Sequence, residues 1–182
     1  MKVLFSSWND EIIDNRGADP ANWKDAPILK LPAEFDKENN ITAFMGWSGI
    51  ILLKDNINIV DMSTRFIEKV QCESCGKCYS GRIGTAVMQK ILRKISSGEG
   101  EEADLTQLSA LAENISKASK CSIGQTSPIP ILHALKYFRD DFVNAVRNKK
   151  PVGNSIRYES KWTAPCYAAC PTGMDIPTYI EF

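Results

Sequence analysis

Apolar positions recur at helical spacing through most of the second half of this chain. Met62, Phe66 and Val70 come every four residues, which places them on one face of a helix. Ile83, Val87, Ile91, Leu92 and Ile95 predict a second helix, ended by the polar run Ser96-Ser-Gly98-Glu-Gly100-Glu-Glu102. A third carries Leu105, Leu108, Leu111 and Ile115 inward, with Asp104 as its cap and Gln107 placed to complete a capping box. The fourth opens on Ser127-Pro128, serine as cap and proline at the first helical position. Its stripe is Ile131, Leu135, Phe138, Phe142 and Val146. Arg147, Lys149 and Lys150 suit the negative end of its dipole, and Pro151 and Gly153 end it.

The first sixty residues follow another pattern. Pro20, Pro27 and Pro32 interrupt each short apolar run up to residue 40, so this stretch reads as an irregular arm. Trp8 and Trp23 are expected to pin it by packing. Ile50–Leu53 and Ile57–Val60 then read as two short strands around the polar turn Lys54-Asp-Asn56, with Gly46-Trp-Ser-Gly49 as a tight turn ahead of them. The expected fold is mainly α. A four-helix bundle over 61–150 is preceded by an arm and a small partial β segment over 1–60 and followed by an extended tail over 151–182. In an up-and-down bundle the loop between helices one and two lies at the same end as the loop between three and four.

Composition narrows the chemistry. The chain has 182 residues, 43% of them apolar, enough for one ordinary domain and an appendage. Lys plus Arg equals Asp plus Glu at 22 each, so no net field draws nucleic acid or an anionic membrane. Gly49-Ile-Ile-Leu-Leu53 is too short to span a bilayer and is bounded by Lys54 and Asp55. His133 is the single histidine; it lies in an apolar helical stretch, where a packing role outweighs acid–base catalysis. The N-terminus turns acidic too soon for a secretory signal, which suggests the cytoplasm, where thiols stay reduced.

The chemistry-bearing residues are cysteines. Cys72-Glu-Ser-Cys75-Gly-Lys-Cys78 sets three thiols at two-residue gaps, and Cys121 stands alone far downstream in the loop between helices three and four. Four cysteines of this kind can hold a [4Fe–4S] cluster through their thiolates. Gly76, Gly81 and Gly84 allow tight turns beside the sulfurs, and Lys77 and Arg82 would offset negative charge. A structural zinc more often takes its cysteines as two separated pairs. A disulfide framework suits the even count of six but not a reducing compartment, and a Cys75–Cys78 dithiol leaves the other thiols idle. A zinc or degenerate metal site in a non-redox scaffold stays open as the alternative.

Gly46-Trp-Ser-Gly49-Ile-Ile-Leu, Glu73-Ser-Cys75-Gly-Lys-Cys78, Arg82-Ile-Gly84-Thr85 and Cys121 resemble the C-terminal part of the NADH-binding flavoprotein subunit of respiratory complex I. The same module occurs in NAD(P)-linked hydrogenases, formate dehydrogenases and electron-bifurcating complexes. The resemblance covers about residues 36–150. It implies a ubiquitin-like (β-grasp) segment ahead of a four-helix domain carrying one [4Fe–4S] cluster, which relays electrons between a flavin on a partner and clusters in other iron–sulfur subunits. The family pattern Glu-Ser-Cys-Gly-x-Cys-x-Pro-Cys-Arg-x-Gly has a cysteine where this chain has Gly81. Cys75, Cys78 and Cys121 match the family ligands, and Cys72 is expected to supply the missing thiolate. The family's flavin and nucleotide region precedes the β segment, so neither FMN, FAD nor NAD is expected here; a flavin- and NAD(P)-binding subunit is the implied partner. Trp162-Thr-Ala-Pro165-Cys166-Tyr-Ala-Ala-Cys170-Pro171 and Asp175-Ile-Pro177-Thr-Tyr179-Ile180 resemble the opening of the iron–sulfur domain in the small subunit of glutamate synthase. Cys166 and Cys170 are thus candidates for a share in a second cluster completed by a partner chain, or for spare thiols in a docking tail. The function expected is that of an electron-transfer subunit, without chemical catalysis of its own, in a multisubunit cytosolic NAD(P)-linked oxidoreductase, with flavin-based bifurcating complexes among the candidate hosts.

Overall fold

The computed structural model describes residues 2–25 and 40–153. The tail expected beyond 153, with Cys166 and Cys170, lies outside the described residues. The chain divides into two compact units, residues 1–57 and 58–182.

The first unit is built on an antiparallel sheet of four strands: β1 (Phe5–Ser6), β2 (Ile13–Asp14), β3 (Ala43–Gly46) and β4 (Gly49–Leu52), in the order β2-β1-β4-β3. The expected turn at Gly46–Gly49 is real: β3 and β4 form a hairpin in which Gly46 pairs with Gly49. Two features depart from the sequence reading. The arm is not wholly irregular, because Phe5 pairs with both Leu52 and Asp14 and so brings β1 into the sheet's centre. The second strand expected at Ile57–Val60 is instead the start of a helix. Val3, Ile13 and Ile51 form one buried cluster, with Trp8, Phe44 and Leu53 packed against it. Trp8 therefore does pin the arm, its ring 5.2 Å from that of Phe44. Asn15 is the polar hub of this unit. Its amide nitrogen donates to the Val3 and Lys24 carbonyls at 2.8 and 3.0 Å, while its amide oxygen accepts from the Lys24 N–H at 3.0 Å.

The second unit is helical: α1 (Ile59–Glu73), α2 (Thr85–Ser96), α3 (Glu102–Ala118), α4 (Ser122–Thr126), α5 (Ile129–Tyr137) and α6 (Arg139–Asn148). Asn58 starts α1, its side-chain oxygen accepting from the Val60 and Asp61 N–H groups at 3.0 Å each. Two first-turn donors without helical partners are thereby satisfied. A π-helical turn, Ser80–Gly84, leads directly into α2. Pairing runs α1 on α2, α2 on α3 and α3 on α5, with α6 against α1, α2 and α5. α5 and α6 together form the fourth member of the bundle.

The predicted stripes of α1 and the fourth helix are buried throughout: Met62, Phe66 and Val70, then Ile131, Leu135, Phe138, Phe142 and Val146. The fourth helix is nonetheless interrupted at Phe138, whose backbone leaves helical values at φ −128°, ψ 33°. On α2 the reading fails at its start. Ile91, Leu92 and Ile95 are buried, but Ile83 and Val87 are 40% and 41% exposed, and Met88 takes the inner position. The π turn holds Ile83 out of register with α2, because its wider winding advances each residue by less than an α-turn does. The cap of α3 also moves: Glu101 is the cap, and Asp104 sits in the first turn and accepts from the Glu101 N–H at 2.7 Å. Ser127 does not cap α5, which begins after Pro128.

Burial dominates the energetics of this unit. Each fully buried Ile, Leu or Phe contributes about 1.5–3 kcal/mol, and Ile67, Leu92, Leu108, Ile131 and Phe142 are all fully buried. The Arg65–Glu68 and Arg93–Glu68 pairs, at 3.0 and 2.9 Å, lie at the surface and add about 0–1 kcal/mol each. The bundle is closed where Val152 N donates to the Ser96 carbonyl at 2.8 Å and Lys149 Nζ to the Gly100 carbonyl.

Candidate iron–sulfur site

α1 ends at Glu73, and the chain then turns through Ser74–Tyr79 before entering the π turn. Gly76 adopts φ +64°, a left-handed conformation that glycine takes without steric cost. The Gly76 N–H donates to Ser74 Oγ at 3.4 Å, and Ser74 Oγ donates to the Gly81 carbonyl at 3.4 Å. Thr85 Oγ1 also donates to the Gly81 carbonyl, at 2.5 Å. From the other side comes the segment joining α3 to α4. Gln125 Nε2 donates to the Ser119 carbonyl at 2.9 Å, and Ser116 Oγ to the Gln125 carbonyl at 2.7 Å. The two segments touch through Ser80 Oγ and Ser119 Oγ, 3.1 Å apart.

Where they meet, a concavity is lined by Cys75, Cys78 and Cys121, with Gly76, Lys77, Gly81 and Ser127 in its wall. The structure thus brings three of the four expected ligands to one surface. Cys72 is not among the lining residues. It lies in the last turn of α1 and is exposed. Val70, two positions earlier, does line the concavity, and two positions are about 200° of helical rotation. Of the two cations expected to balance charge, Lys77 lines the concavity, whereas Arg82 is exposed and not part of the wall. His133 is half-buried and packs edge-on against Tyr137 with ring centres 6.0 Å apart.

Cys78 has the most developed surroundings. The Lys120 backbone N–H holds its thiol below the ordinary cysteine range, helped by the Ser80 hydroxyl, the Gly81 N–H and the Ser119 hydroxyl, against the opposing effect of partial burial. Ser80 Oγ donates to Cys78 Sγ at 3.7 Å. The thiolate is the metal-binding form, so the segment preceding Cys121 favours the form of Cys78 that a metal would bind.

The donor set fits an iron–sulfur cluster in two respects. Three soft thiols line one concavity, and Ser127 Oγ in the same wall is buried without a hydrogen-bond partner. Such an orphaned donor is costly unless something accepts from it, and cluster sulfur is an acceptor. Among the described residues, no three His, Cys, Asp or Glu side chains are already gathered at single-ion ligand spacing. The fit therefore rests on the shared concavity rather than on a preformed cage. Sequence reasoning missed Ser127 as a wall residue, since Ser-Pro ahead of an apolar stripe reads as a helix cap.

Residues 61–145 match the family described as the NADH-ubiquinone oxidoreductase-F iron-sulfur binding region. The helical domain belongs to that family. The matched residues are thus similar to the iron–sulfur binding region found in NAD(P)-linked oxidoreductases and hydrogenases. The β subunit of an NADPH-Fe(3+) oxidoreductase of Geobacter sulfurreducens is 40% identical over 181 residues, 99% of this chain and 26% of that protein. The β subunit of an NADP(+)-dependent formate dehydrogenase of Moorella thermoacetica is 27% identical over 99% of this chain and 30% of its own length. An NADP-reducing hydrogenase subunit of Solidesulfovibrio fructosivorans is 34% identical over 67% of this chain and 25% of its own length. Among solved structures, an NAD+-reducing [NiFe]-hydrogenase in the H2-reduced state matches 53% of this chain and 17% of its own at TM-score 0.50 and 26% identity. The chain thus spans roughly a quarter to a third of the curated relatives it matches. No helix among the described residues is long and apolar enough to cross a membrane.

Proposed function

We propose that the helical unit carries one [4Fe–4S] cluster on Cys75, Cys78 and Cys121 and relays single electrons between a flavin on another polypeptide or domain and further iron–sulfur centres. The observation that carries this reading is the convergence of thiols from two remote segments on one concavity, within a domain of an iron–sulfur binding family. A bound cluster supplies one-electron chemistry whose potential responds to nearby hydrogen bonds, charge and burial. The chain's own part is to present the thiolates, favour Cys78 in its ionised form, set Lys77 against negative charge and offer the Ser127 hydroxyl as a donor. The nicotinamide nucleotide and the flavin are proposed to bind outside these residues, in a host complex of the kind to which the relatives belong. An electron-bifurcating complex is one such host, and the cytoplasm is the compartment that suits its reduced thiols.

Anaerobic purification, or reconstitution with iron and sulfide, tests the reading. The expected product is brown, with iron and acid-labile sulfide in equal amounts and a paramagnetic signal after reduction by dithionite. A colourless product without iron overturns it, and a colourless product with stoichiometric zinc replaces it with a structural metal site. Loss of colour in Cys75→Ser, Cys78→Ser and Cys121→Ser, each still helical by circular dichroism, is the further expectation.

A further inference from the structure

We infer that the cluster of the proposed reading, on which this inference rests, is anchored by only three cysteines, and that its remaining iron faces Gly81 and takes an exchangeable small ligand. A cubane of this type ordinarily has four thiolate ligands. The concavity supplies Cys75, Cys78 and Cys121, and the next wall element in the chain is Gly81. Gly81 is buried in the π turn, with its carbonyl held by Ser74 and Thr85. A Cβ built on Gly81 would lie 3.0 Å from Cys78 Sγ and 3.7 Å from Ser74 Oγ. A side chain at this position would therefore project into the thiol-lined face, and in this chain it is a hydrogen atom.

No other cysteine of the described residues takes its place. Cys72 is exposed and turned about 200° around α1 from the wall residue Val70. The remaining polar wall residues are poor substitutes: Lys77 is a cation without a lone pair when charged, and Ser74, Thr85 and Ser127 are neutral hydroxyls. Hydroxide, a small thiolate or cyanide has the charge and size for an iron at this position. An iron without a protein thiolate is also the easiest to lose. One-electron oxidation takes [4Fe–4S]2+ to [4Fe–4S]3+, which releases Fe2+ and leaves [3Fe–4S]+. One electron and one Fe2+ reverse the change.

The test uses the full chain, loaded anaerobically, then treated with one equivalent of ferricyanide and desalted. Wild type is expected to fall from about four irons per chain to about three and to show the electron-spin signal of a three-iron cluster. Dithionite with ferrous iron should restore the fourth. Cyanide added to the reduced four-iron form should change its spin signal. Cys72→Ser and the double variant Cys166→Ser/Cys170→Ser should behave as wild type. Gly81→Cys, which requires the Cys78 thiol to shift by a few tenths of an ångström, should keep its fourth iron through oxidation and ignore cyanide. If Gly81→Cys does not load, the wild-type iron count and cyanide response decide alone. A wild type that keeps all four irons and ignores cyanide overturns the inference while leaving the cluster intact. Iron loss that appears only in Cys72→Ser or in the double variant does the same and names the fourth ligand. A wild type that binds no iron overturns this inference and the proposed function together.

Discussion

Ser127 is a single hydroxyl with a measurable cost. Its Oγ is buried and unpartnered, in the wall of the thiol-lined concavity. Burying a hydroxyl without a partner costs about 1–3 kcal/mol by mutational measures. Ser127→Ala removes that cost with little change of volume, so the iron-free protein should be as stable as wild type, or more stable by about 1 kcal/mol. Urea unfolding of the two proteins checks this; destabilisation by more than about 1 kcal/mol would mean that the hydroxyl has an acceptor before any cluster arrives. Gly84 shows how a residue can be read correctly for the wrong reason. The sequence suggests a tight turn, yet its φ is an ordinary −60°. What excludes a side chain there is Ile115 Cγ1, only 2.7 Å from where a Cβ would stand. Motif spacing marks a glycine, but the reason for it lies on α3, at Ile115.

Individual elements were legible where packing follows a simple period and illegible where a cap or a wide turn intervenes. The stripe from Ile131 to Val146 was readable across the Phe138 break because all five side chains still face the core. The start of α1 was not, since Ile57-Asn-Ile59-Val60 alternates like a strand and only the geometry of Asn58 reveals a cap. Asn58→Ala is expected to destabilise the protein by about 1 kcal/mol, while Asn58→Asp or Asn58→Ser should largely preserve stability; thermal or urea unfolding distinguishes them. On β2, Asp14 accepts from Arg16 Nε at 2.8 Å, and that hydrogen bond holds its carboxyl below the ordinary value. A carboxyl depressed in the folded state contributes stability that is fully present above its unfolded pKa and is lost as pH falls through the folded one. Wild type should therefore lose a small increment of stability in acid that Asp14→Asn lacks; parallel acid dependences of the two would contradict the pairing.

At the scale of the whole molecule, each unit has its own buried core. The helical unit holds the three converging thiols and every wall residue of the concavity. A fragment of residues 58–153 should accordingly fold alone, showing helical circular dichroism and one cooperative unfolding transition. A fragment without such a transition would show that the core needs residues outside that range. The meeting of Cys75, Cys78 and Cys121 on one concavity was legible at this scale because cysteine spacing survives without knowledge of the fold, and because an antiparallel bundle returns alternate loops to one end. What spacing alone could not show is direction. Cys72 counts with the other three thiols by spacing, yet it is exposed at the end of α1 and does not line the concavity.

The π turn at Ser80–Gly84 has a consequence of its own. A wide turn holds one residue more than an α-helix would use over the same arc, so it acts as a phase adjuster between the thiol loop and α2. Met88, Leu92 and Ile95 can keep their seating in the bundle while the angular setting of Cys78 and Gly81 is fixed separately upstream. Deleting one residue there would let the turn rewind as ordinary helix. Such a chain would still look intact to any probe of helicity, yet its sulfur-bearing loop would be clocked round by about a quarter turn.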